Sequence, residues 1–332
     1  MNILFCYPSF FPITGGGTVH GYYLAKNLYE QGHKITVINK QDDGFTNYIN
    51  KKDILKFIKA VRCSDVVYVR ISTSGVANFI PFIANLLGAK VIGEVNAPSE
   101  ELYLLGKSKR KVLLSRFLLK FQLKFCSELI SVSEEVNNYL LSLDLSSHVI
   151  YNGGERIKEL PSEAVISKSW TLKYKKIMLW SGNVYSWQGS NILKDITDRA
   201  NQLGYGVIIV TNENYNSNFS SNVKIIVNPT REQLSNIYQL CDIGLAPYDL
   251  STLTKWGFYN SPLKIYEYLA NDLLVFTNAK NAQIDKLANV IFFDDIESIF
   301  IKIEESQYCN DFPIRTWKDV SIETNCVLKN IK

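Results

Sequence analysis

The chain has 332 residues, of which 46% are hydrophobic and 20% charged, and its formal net charge at pH 7 is +4. This composition excludes a disordered chain, and the length allows two domains with sizeable cores. The small net charge does not by itself indicate nucleic-acid binding, although basic residues concentrate after Gly106.

The cysteines and the apolar segments indicate the cellular compartment of the protein. Six cysteines form no C-x-x-C pair and no metal-ligand spacing with the three histidines, which predicts buried thiols in a reducing, cytoplasmic compartment. The sequence also has no Asp-x-Asp metal motif, so we expect neither a metal nor another cofactor. Met1 leads directly into an apolar run without a basic region or cleavage site, so we expect no signal peptide. The most apolar region, 76–93, is interrupted by polar residues and proline, which argues against a membrane span.

Short apolar runs alternate with longer amphipathic ones, a pattern typical of parallel sheets covered by helices. The pattern predicts two doubly wound α/β sheets, with a linker near 155–174. Twelve strands are predicted: Ile3–Tyr7, Lys34–Asn39, Val66–Arg70, Lys90–Val95, Leu129–Val132, His148–Tyr151, Lys176–Ser181, Gly206–Thr211, Val223–Val227, Ile243–Ala246, Leu274–Thr277 and Val290–Phe293.

A glycine-rich loop separates the first strand from a helix predicted over Val19–Gln31. Gly16 and Gly17 in this loop expose backbone amides and let a ligand approach the main chain. The loop does not fit the dinucleotide-binding fingerprint, because prolines separate the glycines from the strand. A purely structural glycine loop is the alternative interpretation.

Polar residues follow the fourth predicted strand, at the sheet edge where open α/β sheets bind ligands. Glu94 and Asn96 there are suited to bind sugar hydroxyls. Alternatively, Ser99 caps a helix whose first turn is acidic, which explains Glu100 and Glu101 but neither Glu94 nor Asn96.

The segment 106–125 combines basic residues with apolar residues at helical spacing and contains no acidic residue. A basic helix with a Leu/Phe face is suited to dock on an anionic membrane surface, here through Lys109, Arg110, Lys111, Phe117 and Phe121. The alternative is an ordinary helix whose apolar face belongs to the core.

The stretch 259–278 predicts a turn, a helix and a strand. Ser261 is a suitable N-cap and Pro262 a suitable first helical residue. The amides of Leu263 and Lys264 would then point out of a helix N-terminus that attracts phosphate, with the Lys264 ammonium beside them. One turn later, Glu267 could accept hydrogen bonds from a ribose diol. In the alternative interpretation this is an ordinary helix and Glu267 pairs with Lys264.

Taken together, these segments resemble the GT-B glycosyltransferases, specifically the large retaining family usually numbered four. The resemblance covers nearly the whole chain and depends on several motifs in order. They are the glycine-rich loop 14–17, Gly32 to Val37, Val132-Ser133-Glu134, Val149 to Gly153, Leu234 to Pro247, Ser261 to Tyr268 and Trp317 to Val320.

The resemblance implies two Rossmann-like domains facing across a cleft, with the nucleotide sugar held mainly by the second. The expected ranges are an acceptor-binding domain at 1–160, a donor-binding domain at 172–314 and a terminal helix at 315–332 that packs back on the first domain.

The resemblance also assigns roles to individual residues. Glu267 would bind the ribose, and the amides after Pro262 would bind the diphosphate together with Gly16 and Gly17. Residues 227–229, with Val227 and Asn228, would border the nucleobase. Glu94 and Asn96 would line the acceptor and transferred-sugar side, and Glu94, Asn96 and Lys264 are the expected catalytic residues.

Three positions depart from the family's pattern. All three belong to the expected donor site, which includes Gly182, Asn183, Gln188, Tyr259 and Ser261. Tyr259 stands where a second glutamate is common, and the usual glycine-arginine and lysine-glycine pairs become Gly182-Asn183 and Gln188-Gly189. Two cations beside the leaving diphosphate are therefore missing, and each strong oxyanion donor can contribute about 10²–10³ in rate.

The sequence predicts a retaining transferase that moves a sugar from a UDP-, GDP- or ADP-linked donor to a hydroxyl of a lipid-linked or growing surface polysaccharide. We expect the protein to be cytoplasmic, either free or peripherally bound to the inner face of the cell membrane. We expect no nucleic-acid partner. Two alternatives stay open: a nucleotide-sugar epimerase of the same fold, and a non-catalytic subunit of a glycan-assembly complex.

Overall fold

The structure is a computed structural model that describes residues 1–13, 15–38, 43–50, 52–71, 79–158, 160–161, 163–213, 215 and 218–331. These residues form two compact units. Unit 1 contains Met1–Asn152, Thr254–Ser261 and Trp317–Lys332, and unit 2 contains Gly153–Leu253 and Pro262–Thr316.

Unit 1 is a seven-stranded parallel sheet in the order β3-β2-β1-β4-β5-β6-β7. Its strands are β1 (Asn2–Cys6), β2 (Lys34–Ile38), β3 (Asn47–Ile49), β4 (Val66–Ile71), β5 (Lys90–Val95), β6 (Glu128–Ser131) and β7 (His148–Val149). Its helices are α1 (Gly16–Glu30), α2 (Ile54–Cys63), α3 (Ile80–Leu86), α4 (Glu101–Leu104), α5 (Lys109–Leu123), α6 (Glu134–Leu141) and α12 (Trp317–Asn330).

Unit 2 is a six-stranded parallel sheet in the order β10-β9-β8-β11-β12-β13. Its strands are β8 (Ile177–Ser181), β9 (Gly206–Thr211), β10 (Val223–Val227), β11 (Ile243–Ala246), β12 (Leu274–Thr277) and β13 (Val290–Phe292). Its helices are α7 (Lys168–Thr171), α8 (Ser190–Leu203), α9 (Arg231–Leu240), α10 (Leu263–Ala270) and α11 (Ile296–Glu305).

The predicted fold class of two doubly wound parallel sheets is confirmed. All twelve predicted strands are present, and within the described residues their ends are shifted by at most two positions; Asn39, the predicted end of the second strand, lies outside the described residues. The central strands are apolar on both faces, which explains why they appeared as continuous hydrophobic runs. The short strand β3 was missed, because three residues are too few to establish a period.

Thr254–Ser261 lies in unit 1, although the sequence-based range 172–314 includes it in the second domain. Tyr259 is 3% exposed and belongs to the apolar core of unit 1, and Trp256 packs edge-on against Tyr139. The Ser133 hydroxyl donates to the Tyr259 carbonyl over 2.7 Å. This segment is therefore bound to unit 1 by both apolar packing and hydrogen bonds.

Helix α12 packs within unit 1 against α1. The Trp317 ring is fully buried and lies 5.1 Å from the His20 ring, centroid to centroid. The Gln31 side chain at the end of α1 donates to the Ser321 hydroxyl over 2.6 Å.

Candidate functional site

The strand order of unit 2 reverses at β8: β9 and β10 lie on one side of it, and β11, β12 and β13 lie on the other. Doubly wound sheets bind ligands at the carboxyl ends of the strands at such a switch point. Tyr268 holds helix α10 against this edge of the sheet, because its hydroxyl accepts from the Ser181 amide over 2.7 Å and donates to the Leu245 carbonyl over 3.4 Å. Gly244 leaves room for the Tyr268 ring, since a Cβ at position 244 would lie 2.3 Å from that ring.

Lys264 is the principal candidate for binding an anion in unit 2. Its Nζ atom is buried and has no hydrogen-bond partner among the described residues, while its stem is partly exposed. The Nζ lies 5.1 Å from the ring centroid of Trp180 and 5.2 Å from that of Tyr248. Burial lowers the pKa of the lysine from 10.5 to about 7. A ligand oxygen that reached Nζ would therefore supply its missing hydrogen-bond acceptor.

Glu267 pairs with Arg231 and does not pair with Lys264. Arg231 Nη1 donates to Glu267 Oε1 over 3.1 Å, and both side chains are largely buried. The alternative pairing with Lys264 was therefore wrong, because the first residue of α9 reaches Glu267. Arg231 also adds a second cation to this part of unit 2.

The loop after β8 brings Gly182, Asn183 and Gln188 together. Gln188 Oε1 accepts from the Asn183 amide over 3.2 Å. A Cβ on Gly182 would lie 2.4 Å from Gln188 Oε1 and 3.2 Å from Lys264 Nζ, so only glycine leaves room for both side chains. These predicted residues therefore adjoin Lys264.

Two further predicted donor residues, Val227 and Asn228, lie at the exposed end of β10. Asn228 has a positive φ of 49° and its side chain donates to the Asn212 carbonyl over 3.1 Å. Both residues are open to solvent.

The start of α10 differs from the sequence prediction. The helix begins at Leu263 with Pro262 as its N-cap, so Pro262 is not its first residue. Ser261 does not cap it, because its hydroxyl accepts from the Asn152 amide over 2.9 Å within unit 1. The structure therefore places Ser261 and the buried Tyr259 with unit 1, whereas Leu263, Lys264 and Glu267 belong to unit 2.

Unit 1 has its own switch point, between β1 and β4. Arg70 on β4 and Glu94 on β5 are partners in the strand register and so lie side by side. The Arg70 guanidinium lies 5.8 Å from the ring centroid of Tyr7, which follows β1. Three neighbouring strands thus present an aromatic ring, a cation and a carboxylate at their carboxyl ends.

Glu94 is 1% exposed, and only one of its two carboxylate oxygens accepts hydrogen bonds from the described residues. Oε2 accepts from the Tyr7 hydroxyl over 2.8 Å, the Tyr68 hydroxyl over 2.7 Å and His20 Nε2 over 3.0 Å. Burial alone would raise the pKa of Glu94, but His20, Arg70 and the Tyr68 hydrogen bond outweigh it and lower the pKa to about 2. Glu94 is therefore a fixed, ionised acceptor and a weak base at neutral pH.

Asn96 and the glycine loop complete this region. Asn96 Oδ1 is buried without a hydrogen-bond partner among the described residues. Gly16 and Gly17 form the exposed first turn of α1, which starts three residues earlier than predicted. Ser99 does not cap α4 as the alternative interpretation supposed, because its hydroxyl pairs with that of Tyr139 over 2.8 Å.

Helix α5 buries one face and exposes another that is both apolar and basic. Val112, Leu119 and Leu123 form its buried face. The exposed face carries the five residues proposed from the sequence, Lys109, Arg110, Lys111, Phe117 and Phe121, together with Leu113 and Leu114. Phe117 is 69% exposed.

None of the described helices combines the length and apolar character needed to cross a membrane. Among the same residues, no group of three or more His, Cys, Asp or Glu side chains is placed to hold a metal ion.

Sequence reasoning missed several residues of both clusters: Tyr7, His20, Tyr68 and Arg70 in unit 1, and Trp180, Arg231 and Tyr248 in unit 2. Tyr7 and Arg70 occupy strand ends, so the rule that found Glu94 could have found them. Arg231 carried no such signal, because its contact with Glu267 exists only after α9 and α10 have packed on the sheet.

Comparison with known proteins adds evidence on the fold. No protein-family model matches the sequence, and no curated protein matches it. Sucrose-phosphate synthase from Thermosynechococcus elongatus is structurally similar, with a TM-score of 0.68, 10% identity, and coverage of 99% of this chain and 98% of that chain. An alpha-glucosyltransferase in complex with UDP and a 13-mer DNA has a TM-score of 0.62 and 13% identity, and the match covers 92% of this chain and 89% of that chain.

A third similar structure, from Listeria monocytogenes, is described as a candidate UDP-N-acetylglucosamine 2-epimerase. It has a TM-score of 0.55 and 9% identity, and the match covers 99% of this chain and 96% of that chain. At such identities the similarity applies to the fold and not to the reaction. The chain therefore has the two-domain fold of the GT-B glycosyltransferases.

Proposed function

We propose that the protein is a retaining glycosyltransferase that moves a sugar from a nucleotide diphosphate donor to a hydroxyl of a lipid-linked or growing surface polysaccharide. The observation that carries the proposal is the buried Lys264 Nζ atom at the start of α10, which has no hydrogen-bond partner among the described residues. It is adjacent to a glycine, Gly182, and lies one helical turn before Glu267. A cation, free helix amides and a carboxylate are the groups that a nucleoside diphosphate requires.

The leaving diphosphate would be stabilised by the protein alone. The first amides of α10 have no intrahelical partners and carry the positive end of the helix dipole. A diphosphate beside Nζ would favour the protonated form of Lys264, whose positive charge would then act in a site with little water, where electrostatic stabilisation is strongest. In this proposal Lys264 replaces the cations that are absent at Asn183 and Gln188, and no metal is required.

Glu267 would accept hydrogen bonds from the ribose hydroxyls. Its Oε1 atom is oriented by Arg231, which leaves Oε2 for the ligand. Glu94 would orient the acceptor hydroxyl, since its low pKa makes it a poor proton acceptor. The departing phosphate would then take the acceptor's proton on the same face of the sugar.

Calorimetric titration with UDP, GDP and ADP tests the donor site. We expect one of them to bind at micromolar concentration, and Glu267→Gln to weaken its binding by about tenfold or more, which corresponds to about 1.4 kcal/mol. Glu305→Gln is the matched control, because Glu305 is an exposed carboxylate on α11. Binding of none of the three nucleotides would contradict the proposal and favour a non-catalytic subunit. Donor hydrolysis or epimerisation without an acceptor would favour the epimerase.

We further propose that α5 docks unit 1 on an anionic membrane surface, where a lipid-linked acceptor would be found. The exposed Phe117 and Phe121 would enter the interface while Lys109, Arg110 and Lys111 contact lipid headgroups. The support is that these aromatic side chains are exposed although the helix has a separate buried face.

Vesicle flotation tests this proposal with phosphatidylglycerol-containing and pure phosphatidylcholine vesicles. We expect binding to the anionic vesicles and its loss when Lys109, Arg110 and Lys111 are all replaced by glutamate. The matched control replaces the exposed Lys168, Lys173 and Lys286 by glutamate, which changes the net charge equally. Equal loss of binding in both triple variants would show that only net charge matters.

A further inference from the structure

Several buried polar atoms of unit 1 have no hydrogen-bond partner among the described residues, and three of these atoms belong to residues at the carboxyl ends of β4 and β5. They are Arg70 Nη1, Glu94 Oε1 and Asn96 Oδ1. A buried polar atom without a partner destabilises the folded protein, so three in one region require an explanation. A bound ligand would supply their partners.

The three residues lie together at the carboxyl edge of the sheet. Arg70 and Glu94 are register partners on β4 and β5, and Asn96 follows Glu94 by two positions, on the same side of an extended chain. A Cβ on Gly17 would lie 3.9 Å from Arg70 Nη1, so the guanidinium reaches the start of α1. Because Gly16 and Gly17 are exposed, this corner of the sheet adjoins solvent.

The Glu94 carboxylate is oriented so that one oxygen remains for a ligand. Tyr7, Tyr68 and His20 all hydrogen-bond to Oε2, and Oε1 has no hydrogen-bond partner among the described residues. The carboxylate is ionised, because these contacts and Arg70 lower its pKa. Oε1 can therefore only accept a hydrogen bond.

The charges and the donor count identify the class of ligand. The Arg70 cation is balanced by the Glu94 anion, so an anionic ligand would gain no net attraction and would face the carboxylate. The three unpaired atoms comprise one hydrogen-bond donor, Arg70 Nη1, and two acceptors, Glu94 Oε1 and Asn96 Oδ1. The ligand must therefore supply more hydrogen atoms than acceptor atoms, and neighbouring hydroxyl groups meet that requirement.

We infer that Arg70, Glu94 and Asn96 form a subsite for a neutral, hydroxyl-rich sugar, and that the Glu94 carboxylate selects against acidic sugars and phosphate. This inference deepens the proposed function, because it names the acceptor class of the proposed transferase. Arg70 donates to a sugar oxygen, while Glu94 and Asn96 accept from neighbouring hydroxyls.

Saturation-transfer NMR on the full chain without nucleotide tests the subsite. The probes are the methyl α-glycosides of glucose, mannose and galactose, their uronate counterparts and inorganic phosphate. We expect at least one neutral glycoside to bind with a millimolar Kd, and its uronate to bind about tenfold more weakly. Tighter binding of any uronate or of phosphate, or no neutral binding below about 50 mM, would overturn the inference.

Two variants connect the binding to these residues. Arg70→Met and Asn96→Leu should each weaken binding of the neutral glycoside about tenfold, since each leaves a sugar group without its partner. Arg62→Met, at an exposed arginine of α2, is the control that should leave binding unchanged. If both subsite variants fold, as a thermal melt would show, and bind like the wild type, the subsite lies elsewhere.

The outcome is separable from that of the nucleotide titration. Sugar binding without nucleotide binding would support the subsite and contradict the transferase. Nucleotide binding with a preference for acidic sugars would support the donor site and overturn the subsite.

Discussion

Replacing Lys264 with methionine should make the protein more stable at low pH and less able to bind a nucleotide. Burial of Nζ lowers the pKa of this lysine from 10.5 to about 7. In the unfolded chain the lysine is protonated below about pH 10.5, whereas in the folded protein it is neutral above about pH 7. The folded state is therefore penalised increasingly as the pH falls from 10.5 to 7, and fully below 7.

The size of the Lys264 pKa shift gives the expected change in the free energy of unfolding. At about 1.4 kcal/mol per pH unit, the full penalty below pH 7 is about 5 kcal/mol, and it falls to about 1 kcal/mol at pH 10. Methionine fills a similar volume between Trp180 and Tyr248 without a charge, so Lys264→Met removes the penalty at little packing cost. The free energy of unfolding should rise by up to about 5 kcal/mol at pH 6.

Urea denaturation of wild type and Lys264→Met at pH 6 and pH 10 measures the difference. Lys286→Met, at an exposed lysine, is the control and should change stability little at either pH. Equal stability differences at pH 6 and pH 10, or a variant less stable than wild type at pH 6, would refute the argument from burial. Greater stability together with lost nucleotide binding is the pattern expected of a residue kept for function.

Three other predictions concern individual residues. Ser133→Ala removes the α6 cap and the hydrogen bond to the Tyr259 carbonyl, so the free energy of unfolding should fall by about 1–3 kcal/mol in urea titrations; no change would show that the bond is not formed. Gly154→Ala would place a Cβ 2.1 Å from the Tyr266 carbonyl oxygen, and should lower the thermal midpoint by at least the equivalent of about 2 kcal/mol; an unchanged midpoint would contradict that close approach. Because the folded pKa of Glu94 is depressed, the stability that its ionised form contributes should be lost as the pH falls from about 4.5 to about 2, and acid unfolding of Glu94→Gln should lack this component.

Local sequence patterns were sufficient for the elements and the fold class. Strand periods, helix starts and turn residues depend on interactions between residues close in the chain, and they predicted all the strands except the three-residue β3. The carboxyl-edge rule similarly pointed to Glu94 and Asn96, because it requires only that the strands be parallel.

Tertiary packing decided which of those residues meet. Sequence spacing suggested that Glu267 pairs with Lys264, but Arg231, 36 residues away, pairs with it and leaves Lys264 Nζ unpaired within the described residues. His20 reaches Glu94 across 74 residues. Such contacts depend on how helices pack on the sheet, which no local pattern encodes.

The segment before α10 shows the same division between local and tertiary information. Its sequence predicted a cap at Ser261, and Ser-Pro is a good helix start by local preference. In the structure the backbone amide of Asn152, 109 residues earlier, donates a hydrogen bond to the Ser261 hydroxyl. The helix begins at Leu263, two residues after Ser261. The sequence by itself thus determined that a helix follows this turn, while tertiary hydrogen bonding decided where it begins, because a buried amide must find an acceptor wherever the fold provides one.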